Sequence, residues 1–218
     1  MYAPVYSRDG GLALTGHYKD FGSELKNSYF VKKGITERLL CQECDNSRIG
    51  SLDSYAKKII EIIRNQSFDK PSIFINVNYT TFKLFELSIL WRASICSHWM
   101  FEKIKLGSKH EEAVRKMLLL NKPGEPYEYG CVIQVPQNKN AKRIMIHSQM
   151  DRFKGHHRHL INTPGIHFEF YVSSHSKSIV FLPLFLQKNG KLPLIKTTET
   201  YDEQFLENVR EMLGIVKG

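Results

Sequence analysis

Residues 80–103 read "TTFKLFELSILWRASICSHWMFEK". Phe, Leu, Ile, Trp and Met fall on nearly every face of a helix drawn through them. The segment is therefore predicted as a helix in the middle of the core, not one lying on a surface. Lys83, Glu86 and Arg92 interrupt the apolar run and argue against a membrane span. Arg92 needs a partner, because a buried, unpaired guanidinium costs several kcal/mol in desolvation. A carboxylate elsewhere in the chain is expected, with Ser88 one turn earlier sharing the network. A phosphate-reading arginine in a cleft is the sharper alternative. Trp91 and Trp99 read as core residues, not as base-stacking platforms.

Outward from this helix the pattern stays regular. Upstream, Ile49, Leu52, Ala56, Ile59, Ile60 and Ile63 keep helical spacing, so a helix is expected to begin between Asp45 and Ser47. Gly50 weakens its first turn. Asp69-Lys70-Pro71 breaks the chain, and "SIFINVNY" (72–79) alternates like a strand. Downstream, Gly107 ends the long helix and Ser108 to Glu111 matches a capping box. Ala113, Val114, Met117 and Leu118 make the buried stripe of that next helix. Beyond residue 125 come four strand candidates: "YGCVIQV" (129–135), "KRIMIHSQ" (142–149), "GIHFEFYVSS" (165–174) and "SIVFLPLF" (178–185). Asn189-Gly190 signals a tight hairpin turn. Pro193 predicts that the strand around it is an edge strand. Thr200 to Glu203 matches a second capping box, ahead of a closing helix with Phe205, Leu206 and Val209 on its stripe. Residues 1–38 read as loops and short strands. The fold class is α+β. A helical part with the C-x-x-C turn spans 1–125, and an antiparallel β-rich part closed by a helix spans 126–218.

The 218 residues carry a formal charge of +9, with 42% hydrophobic and 24% charged residues. That composition is not that of a disordered chain. The positive surplus favours a polyanionic partner, nucleic acid first and an acidic protein second. The opening "MYAPVYSRDGG" has no apolar leader, so a reducing cytoplasm and free thiols are expected. No Gly-rich phosphate loop, nucleophile elbow or H-E-x-x-H is present. Glu111 and Glu112 fall in the first turn of a helix, where they complement its dipole.

Cys41 and Cys44 form a C-x-x-C turn just before a helix. Three readings stay open: half of a zinc site, a redox pair, or two small residues without metal. The turn brings both sulfurs to one side, as in the last two ligands of a treble-clef finger. A helix start at Asp45 would favour the Cys44 thiolate. No second C-x-x-C supplies the remaining ligands. A bound zinc would have to be completed by remote residues or by another chain.

The stretches "GITERLLCQECDNSRIGSLDSYAKKIIE", "FKLFELSILWRASIC" and "LGSKHEEAVRKMLL" resemble a family of uncharacterised bacterial proteins related to HNH endonucleases. The shared features fall on Gly34, Glu37, Cys41, Cys44, Tyr55, Leu87, Ser88, Leu90, Trp91, Arg92 and Ala93. A strand ending in Val172, Ser173 and Ser174 is also similar. The resemblance covers roughly residues 34–175 and implies a nucleic-acid-binding protein of a bacterial defence or mobile-element system. HNH members also carry an earlier C-x-x-C and a strand histidine that activates water. Neither precedes Cys41 here, since His17 in "LTGHYKDF" does not match. A complete nuclease centre, and cleavage by this chain alone, are not expected.

The densest basic segment is "DRFKGHHRHL" (151–160), read as a loop. Arg152, Lys154 and Arg158, with Lys139, Lys142 and Arg143 upstream, are the candidate phosphate contacts. His156, His157 and His159 could add donors, bind metal or act as acid–base groups. The competing reading is a non-enzymatic module that docks on a partner protein in a defence or toxin–antitoxin complex. Its interface would be the Pro193 edge strand and the basic surface.

Overall fold

The computed structural model describes residues 37, 39–143, 148–173 and 182–212. The features expected at Gly34, at 144–147, at Ser174 and at 178–181 lie outside these residues. Helix α1 (Gly50–Arg64) follows a π-helical turn at Cys44–Ile49; β1 (Ser72–Asn76) and α2 (Tyr79–Ile95) come next. Then follow α3 (Gly107–Leu119), β2 (Gly130–Val135), β3 (Gln149–Phe153), β4 (His156–Thr163), β5 (Ile166–Val172), β6 (Lys191–Lys196) and α4 (Glu199–Met212). The class is α+β, as predicted. The six strands form one sheet in the order β1-β6-β2-β5-β4-β3. Every pairing is antiparallel except the parallel pair β2–β6.

Alternation in the strands divides the sheet into two faces. Cys131, Ile133 and Val135 of β2, Phe168 and Phe170 of β5, and Leu192 and Leu194 of β6 share one core with Ile59 and Ile63 of α1 and Phe82, Phe85 and Ile89 of α2. Helix α2 is apolar all round because it is covered on two sides. Leu84 and Leu87 turn away from the sheet and pack on Val114 of α3. Strand β1, from before residue 125, sits in the same sheet as the strands after it, so both stretches share one core.

Helix α2 is shorter than the predicted 80–103. Its start is capped by Asn78, whose Oδ1 accepts from Thr81 N–H at 2.9 Å. It stops at Ile95 because Cys96 turns extended (ψ 136°). Glu37 Oε2 holds that exit, accepting from the Cys96 thiol at 2.9 Å and from Ser97 N–H at 2.8 Å. Trp99 then lies in a 3₁₀ turn, 61% exposed, and is not a core residue. Neither predicted capping box forms. Helix α3 makes no side-chain cap bond at its start. In α4 the capping residue is Thr198, whose Oγ1 accepts from Tyr201 N–H.

Three expectations about strands change. The stretch expected at 142–149 starts in a 3₁₀ turn at Ala141–Arg143 and, among the described residues, reaches a strand only at Gln149. Strand β6 is internal, lying between β1 and β2. Hydrogen bonds from Val77 N–H to Gly190 O and from Lys196 N–H to Pro71 O bracket the β1–β6 ladder. Alternation between them leaves Pro193, opposite Phe74, at a non-hydrogen-bonded position. The β2–β6 pairing starts only at Leu194, so the missing N–H of Pro193 breaks no ladder bond. The segment around Leu182–Leu184 is a 3₁₀ turn, not a strand. Gly190 turns tightly (φ +83°), and a Cβ there would stand 2.3 Å from Val77 O, but among the described residues a 3₁₀ turn and not a strand precedes it, so the turn leads into β6 without closing the expected hairpin.

Candidate functional site

The cysteine turn sits where the sequence put it, at the start of the first helical run. Cys41 is exposed and Cys44 half-buried. The Cys44 N–H points at Cys41 Sγ, 3.5 Å away. That N–H, then the Cys44 thiol, lowers the Cys41 thiol from its ordinary value, and the same contact raises Cys44. The turn thus offers two sulfur donors on one side. Cys96 is tied to Glu37 and Cys131 is buried in the core under β2. Among the described residues no group of three or more His, Cys, Asp or Glu side chains is arranged to hold a metal ion.

The segment 151–160 is not a loop but a β-hairpin. Phe153 pairs with His156, and Lys154 (φ 48°) and Gly155 (φ 84°) make a two-residue turn between β3 and β4. Positive φ at both positions is the turn that suits the right-handed twist of paired strands. The usual Asn-Gly signal is missing, and Lys-Gly read as loop chemistry. Alternation also separates the histidines. His156 shares a face with Arg158 and meets the Tyr171 ring at 6.2 Å, edge-on. His157 and His159 point to the other face, where His159 is buried and its Nδ1 has no partner among the described residues.

The candidate cations are likewise separated. Arg152 and Lys154 are exposed near the hairpin tip. The register sets that tip beyond the Gly130/Val172 end of the sheet, since Gly130 pairs with Tyr171 and Val172 with His157. Lys139, Lys142 and Arg143 follow the opposite end of β2, past Val135. Arg158 does not belong with either set. Its guanidinium binds the Asp151 carboxylate twice, with Nε 2.8 Å from Oδ1, and stands 3.5 Å from Glu169 Oε1. Asp151 holds Arg158 above its ordinary value, and Arg158 lowers Asp151.

Arg158 opens onto a cavity of about 570 Å³ over the face of the sheet away from α1 and α2. Helix α4 walls one side with Tyr201, Gln204 and Phe205. That helix is held in place by buried Asp202, which accepts from Gln137 N–H, Asn138 N–H and the Thr197 hydroxyl. On the floor, Glu169 is 5% exposed and heavily bonded. It accepts from Gln134 Nε2 at 2.6 Å and from the Tyr171 hydroxyl. Burial, then the Glu169 contact, pushes the Tyr171 phenol up, and burial raises Tyr201 to about 12. Asn162 also lines the cavity, 2% exposed, with no partner for its Oδ1 among the described residues.

Sequence reasoning missed this cavity. Its signal was present in "IHFEFYV", where His167, Glu169 and Tyr171 occupy alternate positions of an otherwise apolar strand. Gln149 with Asp151, and Arg158 with Asn162, repeat it on neighbouring strands. Polar groups at every second residue mark a wet sheet face.

Arg92 takes the structural reading, paired with Asp53 inside the helical layer. Among the described residues no helix is long and apolar enough to cross a membrane. No family model, curated protein or solved structure matches this chain.

Proposed function

We propose that the protein binds nucleic acid through its phosphates. The supporting observation is the hairpin tip: Arg152 is exposed and makes no ion pair among the described residues, and Lys154 stands beside it on a chain of formal charge +9. Such a tip presents cations ahead of the fold, where a polyanion meets them without desolvating the core. The resemblance to HNH-related proteins supports a setting in bacterial defence or mobile elements. Zinc at Cys41 and Cys44, completed from outside the described residues, belongs to the same proposal. Cleavage does not, since His157 and His159 face away from the cavity and from Arg158.

The test is fluorescence anisotropy with labelled oligonucleotides across a salt series. Arg152→Gln with Lys154→Asn removes both charges, and Asn suits the positive φ of the turn. Arg158 is left intact, because removing it would unpair Asp151 and Glu169. Binding is expected to weaken about equally for all sequences and to fall less steeply with salt. Unchanged affinity and an unchanged salt slope would sink the proposal.

One observation favours the protein-docking reading, at a different edge from the one expected. Strand β1, not β6, lies at this edge of the sheet, β3 being the other, and Phe74 of β1 is 60% exposed. A partner strand could add there, with Phe74 as its apolar contact. A stoichiometric protein partner lost on Phe74→Lys, with no nucleic acid retained, would support this reading over the first.

A further inference from the structure

We infer that the cavity between α4 and the open sheet face takes an unpaired nucleobase. This rests on the nucleic-acid reading above and names what that reading leaves open, namely a pocket for a base apart from the phosphate contacts.

Charge comes first. The charged groups lining the cavity are Asp151, Glu169 and Arg158, and they are paired with one another. Two carboxylates facing one guanidinium leave the floor no net positive charge among the lining residues, so a phosphate or carboxylate set against it would meet negative charge. The ligand is uncharged where it contacts the floor.

Hydrogen-bonding capacity comes second. Gln149, Asn162 and Gln204 line the cavity from β3, β4 and α4. None of the three amides makes a side-chain hydrogen bond among the described residues, and the Asn162 Oδ1 is buried without a partner. A buried acceptor left unmade is costly, so a ligand that donates to it is favoured. Side-chain amides carry a donor and an acceptor side by side. That pairing matches the edge of a nucleobase, whose ring nitrogens and exocyclic groups alternate the same way.

Shape comes third. Phe153, Tyr171, Tyr201 and Phe205 line the same cavity as the amides. Planar rings stack on such side chains, and single-stranded bases are commonly held this way. A cavity of about 570 Å³ is within the range of small-molecule sites and holds a base with its sugar. Arg152 pairs with His157 and points to the other face of the hairpin, but Lys154 in the turn stands 5.7 Å over the Phe153 ring that lines the cavity, so a strand whose base is held there passes this cation.

The experiment is saturation-transfer NMR and calorimetry of the full chain with each of the common nucleosides, which carry no phosphate. At least one nucleoside is expected to bind saturably. Gln204→Ala, on the exposed side of α4, should weaken it about tenfold, the scale of one amide–base contact. Asn162→Leu should do the same, and if it fails to fold the Gln204 variant still decides. Arg152→Gln with Lys154→Asn should leave nucleoside binding unchanged. Salt-sensitive oligonucleotide binding with no nucleoside binding overturns the pocket and spares the phosphate reading. Nucleoside binding without oligonucleotide binding does the reverse. Nucleoside binding that survives both cavity variants also overturns this assignment.

Discussion

The Arg92 guanidinium meets the Asp53 carboxylate through two parallel hydrogen bonds, Nη1 to Oδ2 at 2.9 Å and Nη2 to Oδ1 at 2.8 Å. Arg92 is 2% exposed, and its remaining donors reach Ser88 O at 3.1 Å and Ser88 Oγ at 2.9 Å. Helix α1 is thereby locked to α2 by a charge that cannot be left alone. Asp53→Ala should destabilise the protein by about 3–5 kcal/mol, because it strands a buried cation. Asp53→Ala with Arg92→Leu should recover a large part of that loss, since both charges are gone. Urea denaturation of the two variants checks this. A double variant no more stable than the single one would show that the pair is not the cause.

Glu86 provides a pH dependence. Burial pushes its carboxyl up to about 7, against the pull of the Lys83 ammonium 3.7 Å away. Neither carboxylate oxygen has a hydrogen-bond partner among the described residues. The folded chain holds this proton more tightly than the unfolded chain, whose ordinary value is 4.5. Stability therefore declines as pH rises from 4.5 to about 7, by up to about 3 kcal/mol. Glu86→Gln should be the more stable protein at pH 8 and show little gain at pH 4.5. Equal gains at both pH values would contradict the shift.

His167 acts in the opposite direction. Burial lowers it to about 4 from 6.5, and its ring packs on Phe205 with centroids 4.9 Å apart. The unfolded chain takes up this proton below 6.5 and the folded chain does not until about 4, so stability falls with falling pH across that window. Neither ring nitrogen has a hydrogen-bond partner among the described residues. His167→Phe should keep the ring contact and remove the penalty. Its gain should be about 2 kcal/mol larger at pH 5 than at pH 7.5. Thermal or urea unfolding at the two pH values measures the difference, and a pH-independent gain would argue against it.

The thiols should react in order. Cys41 is exposed and lowered by the Cys44 N–H, whereas burial raises Cys96 to about 11 and pushes Cys131 well up. Iodoacetamide at neutral pH, followed by peptide mass mapping, should modify Cys41 first, then Cys44, and leave Cys131 until the chain unfolds. Added zinc should slow the first two if the turn is a metal half-site. Early labelling of Cys131 would contradict the packing under β2.

By itself the sequence determined the fold class and most elements, because local patterns carry them. The stripe from Ile49 to Ile63, the all-round apolar α2 and the alternation of β1, β2 and β5 are each complete within a few turns or residues of chain. It determined that Arg92 must be paired, since burial is legible from its neighbours, but not with what. Asp53 is a plain helix residue until α1 is laid beside α2. The ends of α2 were equally beyond reach. Glu37, about sixty residues away in sequence, takes the Ser97 N–H, a donor that would otherwise continue the helix, together with the Cys96 thiol. Pro193 looked like an edge signal because a missing N–H costs only where a ladder bond is due. Register alone shows that none is due there. Arg158 was counted among free cations, and only strand pairing brings Asp151 and Glu169 against it. The cavity belongs to no segment. Its amides come from β3, β4 and α4, and side chains that meet only across strands and a closing helix are decided by the tertiary structure, where a one-residue shift of a strand would turn its amide to the other face.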